Sequence, residues 1–191
     1  DDIELGCGGS LLQLSAQGYA IRAVVFSRGQ RGALSDEDRA RESALAFSKI
    51  GIDDVHIYDF PDTKLWQNLN ELIAVIEGHV KDVRPCRVYT MFQHDRHQDH
   101  RVVYEATAVA CRNVPQLLGY ETPSSYPHFR PTVFQAIEAE LDSKIAALQC
   151  HASQGARLYM QEHSVRAAAA FRGAQIGMGP AEGFMAYKLV I

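Results

Sequence analysis

The chain has 191 residues, 47% of them hydrophobic and 22% charged, with a net charge of −4 at neutral pH. These are the proportions of an ordinary globular protein, and the length predicts a single domain over residues 1–191. No basic run or stripe favours a nucleic-acid partner, and no apolar run is long enough to span a membrane. Cys7, Cys86, Cys111 and Cys150 are widely spaced without a Cys-x-x-Cys pair, which predicts reduced thiols and a cytoplasmic setting.

The opening residues read directly as a helix to about Gln17, with Leu11, Leu12 and Leu14 apolar and Gly18 as its stop. Ala20 to Phe26 reads as a buried parallel strand, and Ser27-Arg-Gly-Gln-Arg-Gly32 as a loop. A helix follows from about Ser35 to Gly51, then a short strand at Val55 to Tyr58 and a loop at 59–65. Leu69, Leu72, Ile73, Ile76 and Val80 recur at helical spacing. Arg87 to Met91 reads as a buried strand, and Val102, Val103, Ala106, Val109 and Ala110 mark a helix beginning near Gln98. Residues 115–131 carry four of the seven prolines and read as a surface loop. A strand at Thr132 to Ile137, helices at Glu138 to Cys150 and Arg157 to Phe171, a glycine-rich loop and a closing strand from Phe184 complete the chain.

This alternation predicts an α/β fold, a Rossmann-like three-layer sandwich with a mostly parallel sheet. The first helix has no strand before it, whereas each later helix of the alternating part has one. A buried strand just upstream of Asp1 is therefore expected.

The densest chemistry lies in His94-Asp-Arg-His-Gln-Asp-His100, which holds three of the eight histidines and two carboxylates in seven residues. It follows a strand, where α/β folds place their sites. His97 and His100 are three apart at a helix start and share a face. Asp99 stands between them, positioned to orient a ring nitrogen. A polar first turn serving only the helix dipole is the plainer alternative; this density of imidazole and carboxylate favours a metal or acid–base site.

Asp1-Asp-Ile-Glu-Leu-Gly-Cys-Gly-Gly9 together with His97-Gln-Asp-His100 resembles the LmbE-like, or PIG-L, family of zinc-dependent de-N-acetylases. Weaker matches follow in order at 27–32, Arg39-Ala-Arg-Glu42, Phe60-Pro-Asp-Thr-Lys-Leu65 and Arg172-Gly-Ala-Gln-Ile-Gly177 before Glu182. The resemblance implies hydrolysis of an N-acetyl group on an N-acetylglucosamine-type conjugate by metal-activated water. It implies Zn²⁺ as cofactor, with other divalent ions compatible, and an acetylated amino sugar as the small-molecule partner; it is compatible with a homo-oligomer. Carried over by position, Asp2 and His100 are metal ligands, Asp1 is the general base, and His97 stabilises the oxyanion or protonates the leaving amine. Asp99 would fix the His97 ring, and Arg39 would contact substrate. The family's third ligand, a His two residues before Asp1, is expected upstream.

The alternatives stay open at this point. Asp1 and Asp2 serve equally as helix caps. Gly6, Gly8 and Gly9 suggest a dinucleotide loop, although they lack Gly-x-Gly-x-x-Gly spacing; close helix packing also explains them. Arg28, Arg31 and Arg39 are either solvated charges or substrate contacts, and Trp66 and Tyr126 either packing residues or a sugar wall. Against the enzyme stands a non-catalytic binding protein of the same fold with an incomplete metal site.

Overall fold

The structure, a computed structural model, describes residues 1–29 and 36–190. Its elements are α1 (Asp2–Ala16), β1 (Arg22–Val25), α2 (Asp36–Lys49), β2 (Asp54–Ile57), α3 (Leu69–Val83), β3 (Arg87–Met91) and α4 (Gln98–Ala110). There follow β4 (Gln116–Tyr120), β5 (Val133–Ala136), α5 (Leu141–Leu148), α6 (Glu162–Ala174) and β6 (Ala181–Leu189). Short 3-10 helices occur at Leu65–Asn68, Ala152–Gln154 and Leu158–Met160. Gln30, Arg31, Gly32 and the expected helix start at Ser35 lie outside the described residues. Among those described, no helix is long and apolar enough to cross a membrane.

The fold is mixed α/β, with the strands in two sheets rather than one: β1-β2, and a four-stranded sheet of order β3-β4-β6-β5. β1 pairs parallel with β2 and β3 parallel with β4, while β6 runs antiparallel to β4. The chain groups into two compact units, Asp1–Asp59 with Phe134–Glu182, and Phe60–Val133 with Gly183–Ile191.

The first unit is built on helices. Ile137, Leu141, Ile145, Leu148, Met160, Val165 and Ala169 form its buried apolar cluster, with Leu5 of α1 packed against it. α1 has little apolar stripe of its own; its buried face is Glu4, Gly6, Cys7, Gly8, Gly9, Ser10 and Leu11. Small side chains let the helix approach closely. A Cβ on Gly9 would stand 2.7 Å from Cγ2 of Ile137, inside any normal carbon–carbon contact. Gly18, at φ +83, ends the helix in a left-handed turn as its position after Gln17 predicts.

The second unit corrects the sequence reading at one place. Gln116–Tyr120, expected within a surface loop, is a strand with four of its five residues buried, hydrogen-bonded between β3 and β6. Five strand residues, set between Pro115 and Pro123, are too few to show a period. Gly119 adds a residue that is poor in strands, and here its missing side chain admits the Tyr187 ring. Two smaller differences have a similar cause. Between the expected loop at 59–65 and α3 the chain forms the 3-10 helix Leu65–Asn68. The helix expected from Arg157 is a 3-10 turn followed by α6, with Gln161 extended as the N-cap between them.

The Gly9 contact yields a test of α1 packing. Gly9→Ala should destabilise the protein by about 1–3 kcal/mol, the usual cost of overfilling a packed core, read as a lower urea midpoint at unchanged slope. A midpoint equal to the parent's would show that α1 does not approach Ile137 so closely.

Candidate active site

β3 delivers the chain into the histidine segment, and a single carboxylate organises that segment. Asp95 is fully buried. Its Oδ1 accepts the His97 N–H at 2.8 Å. Its Oδ2 accepts the hydroxyls of Thr122 at 2.6 Å and Ser125 at 3.2 Å, and lies 3.2 Å from Nδ1 of His100. Burial alone would raise the Asp95 pKa. The hydrogen bonds from His100, Ser124, Thr122 and the His97 N–H outweigh it and hold the carboxyl well below the usual range. An ionised Asp95 keeps the His100 ring hydrogen on Nδ1, which puts the lone pair on Nε2.

His97 is the N-cap of α4, at φ −74 and ψ 122, and its Nδ1 accepts the Asp99 N–H at 3.2 Å. An imidazole nitrogen that accepts carries no hydrogen, so the neutral ring bears its N–H on Nε2. The His97 and His100 rings stack, with centroids 4.5 Å apart and planes 19° from parallel, as three-residue spacing predicts.

Asp99 does not do what the sequence reading assigned to it. Its carboxylate accepts the backbone N–H groups of Thr63 at 2.7 Å and Leu65 at 3.2 Å, not a His97 nitrogen. The physical reason is local. Nδ1 of His97 is already engaged by the Asp99 backbone, and the carboxylate meets two backbone donors, that of Leu65 buried and that of Thr63 half-buried. The beneficiary is Thr63, a β-branched residue at φ +65, a conformation costing about 1–3 kcal/mol. Gln98 adds a hydrogen bond from its side-chain amide to the Thr63 carbonyl. The carboxylate that does meet a site histidine, Asp95, belongs to the same seven-residue segment. The Asp-x-His spacing was its signal, since aspartate commonly accepts the N–H two residues on.

In the first unit, Asp1 stands at the N-cap position of α1, but its side chain makes no capping hydrogen bond. Capping therefore does not account for it. Asp2 occupies the first helical position, half-buried. Gly6, Gly8 and Gly9 lie inside α1 and are buried. A dinucleotide loop needs its glycines at the turn before the helix, so the nucleotide reading is set aside. Arg39 donates to the Gly29 carbonyl at 2.7 Å, and Arg28 lies 3.7 Å from Asp59.

Sequence reasoning missed the groups that hold α1. Glu182 accepts the N–H of Gly9 and both the N–H and hydroxyl of Ser10, at 2.9, 2.8 and 2.6 Å. Lys144 donates to Glu182 at 2.6 Å and to the Leu5 carbonyl at 2.7 Å. Leu5 and Gly9 are one hydrogen-bond step apart in the helix, so this buried ion pair grips both ends of that step. One turn earlier, buried Glu4 meets buried His151 at 2.9 Å. Burial raises the Glu4 pKa, and the hydrogen bond from His151 acts against it. No local pattern announces partners 38 or 147 positions apart.

The PIG-L model, described as GlcNAc-PI de-N-acetylase, matches residues 1–111. The chain belongs to the PIG-L family. Over 159 residues this PIG-L chain is 45% identical to the uncharacterized deacetylase YaiS of Escherichia coli K12, covering 80% of the chain and 86% of that protein. It is 26% identical over 175 residues to the 4-oxalmesaconate hydratase of Pseudomonas putida, covering 77% and 67%. Among solved structures, the conserved protein TT1542 from Thermus thermophilus superposes with a TM-score of 0.85 at 26% identity, over 98% of this chain and 90% of that one.

The PIG-L resemblance implied a zinc-type metal. Among the described residues, no group of three or more His, Cys, Asp and Glu side chains is arranged to hold a metal ion. The donor chemistry nonetheless fits in kind. A carboxylate behind Nδ1 is the usual support of a metal-binding imidazole, and Asp95 supplies it to His100.

Glu182 gives the second test. Glu182→Ala leaves the buried Lys144 ammonium without its counter-charge and the Ser10 hydroxyl without its acceptor, so unfolding free energy should fall by about 3–5 kcal/mol. Replacing Lys144 and Glu182 together by apolar residues should cost much less. Chemical denaturation of the single and double variants compares them, and a loss in the single variant under about 1 kcal/mol would remove this pair as the anchor of α1.

Proposed function

We propose that this chain removes the acetyl group from an acetylated amino sugar of the N-acetylglucosamine type, releasing acetate and the free amine. The observation that carries the proposal is the pairing of PIG-L membership with a histidine segment whose two rings are held in defined tautomers. Asp2 and His100 are the residues that would hold a divalent metal, Zn²⁺ or a relative. When bound, such an ion polarises an amide carbonyl and lowers the pKa of water.

The remaining work falls to the chain's own side chains. Asp1 accepts the proton of the attacking water as general base. His97, with hydrogen on Nε2, donates a hydrogen bond to the oxygen that gains charge, and the proton that Asp1 took from the water passes to the departing nitrogen, so that both groups end as they began. Asp99 is a positioning residue: its N–H fixes the His97 tautomer while its carboxylate holds the neighbouring turn. Arg39 is the proposed substrate contact, its guanidinium steadied by the Gly29 carbonyl.

The likeness to a hydratase favours a second reading, addition of water to an unsaturated carboxylic acid. A general base beside a polarised oxygen serves both reactions. A binding protein without turnover is the third reading. An assay of acetate release from acetylated amino sugars, run beside one for hydration of conjugated diacids, separates all three.

Under the deacetylase reading, Asp1→Asn and His97→Ala each lower kcat by roughly 10²–10⁴-fold with bound metal retained. His100→Ala loses the metal itself, measured by elemental analysis after dialysis. Equal metal loss in all three variants would reverse the assigned roles.

A further inference from the structure

Gln98 and Asp99 separate the two stacked histidines, and both are spent on one turn of the same unit. Asp99 accepts the N–H groups of Thr63 and Leu65, and Gln98 donates to the Thr63 carbonyl. Together they hold Thr63 in a left-handed conformation that a threonine avoids. Backbone strain kept in place by neighbouring side chains is characteristic of binding turns. Leu65 anchors the turn in the core, and the next residue, Trp66, is 61% exposed. It is the chain's one tryptophan. An indole carries more apolar area than any other side chain, and here it stands largely in solvent, next in sequence to a turn that Asp99 and Gln98 hold.

We propose that Trp66 is a specificity-determining residue whose indole face receives the C–H face of the substrate's pyranose ring. The inference rests on the deacetylase reading for the identity of the site. It adds the wall against which the sugar lies. A pyranose offers polar edges and an apolar face of axial C–H groups. A rigid aromatic surface binds that face at little entropic cost, while hydrogen bonds elsewhere fix orientation.

The single tryptophan makes the test independent of turnover. Indole emission of the full chain is followed during titration with glucosamine and N-acetylglucosamine, with calorimetry reporting binding in parallel. A saturable emission change, with the same midpoint as the calorimetric curve, is expected. In acetate-release assays, Trp66→Ala should raise KM for N-acetylglucosamine roughly tenfold while leaving kcat within about threefold, and Trp66→Phe should recover most of the loss. Sugar binding by calorimetry without an emission change overturns the proposal. So does a Trp66→Ala variant with parental KM, or the absence of any amino-sugar binding. If no acetylated amino sugar is hydrolysed but glucosamine still perturbs Trp66, the deacetylase reading fails while the sugar wall stands.

Discussion

A buried, ionised carboxylate at the end of β3 is the constraint on which the histidine segment depends. Taking Asp95 out of water is costly unless every lone pair finds a donor. Donors converge on it: the His97 N–H, the His100 ring and the hydroxyls of Thr122, Ser124 and Ser125. Meeting that requirement fixes several things at once. It sets where the chain leaves the strand, presents His97 at the N-cap of α4, selects the His100 tautomer, and ties residues 122–125 to the loop. A neutral residue at position 95 would satisfy fewer donors and leave the His100 tautomer undetermined.

The first unit solves a different problem. α1 carries the two acidic residues assigned to chemistry, yet most of its buried face is glycine, serine, cysteine and glutamate. Little apolar area is available to hold it. Close approach, permitted by Gly9 against Ile137, supplies dispersion contacts. Lys144 and Glu182 grip the backbone of the helix, and His151 holds Glu4. Buried charged groups are a weak source of net stability but a strong source of positional definition once all partners are present. Under the proposed roles of Asp1 and Asp2, definition of the helix matters more than depth of burial.

PIG-L membership and the geometry contribute different things. Membership identifies amide-bond deacetylation as the family's chemistry. The hydrogen bonds say which nitrogen of each histidine bears the proton, and they transfer Asp99 from the His97 ring to the Thr63 turn. Two neighbouring acids of one motif therefore divide the work: Asp95 serves the His100 imidazole and Asp99 serves the Thr63 turn.

The alternation of helices and strands up to α4, the boundaries of β3, the start of α4 and the shared face of His97 and His100 are all legible in the residues alone. Each rests on interactions within a few residues: helical period, turn residues and capping. The acidic and histidine motifs stand out in the same way, because their spacing is local. The remainder depends on contacts between distant parts of the chain. β4 is a strand because β3 and β6 flank it, and its five residues carry no period to announce that. Asp95 rather than Asp99 supports a site imidazole because Thr63 and Leu65 arrive from more than thirty positions away to claim the second carboxylate. Glu182 and His151 reach partners on α1, at the opposite end of the chain. A buried polar group takes whichever partner the fold brings within reach, and sequence distance does not encode that choice.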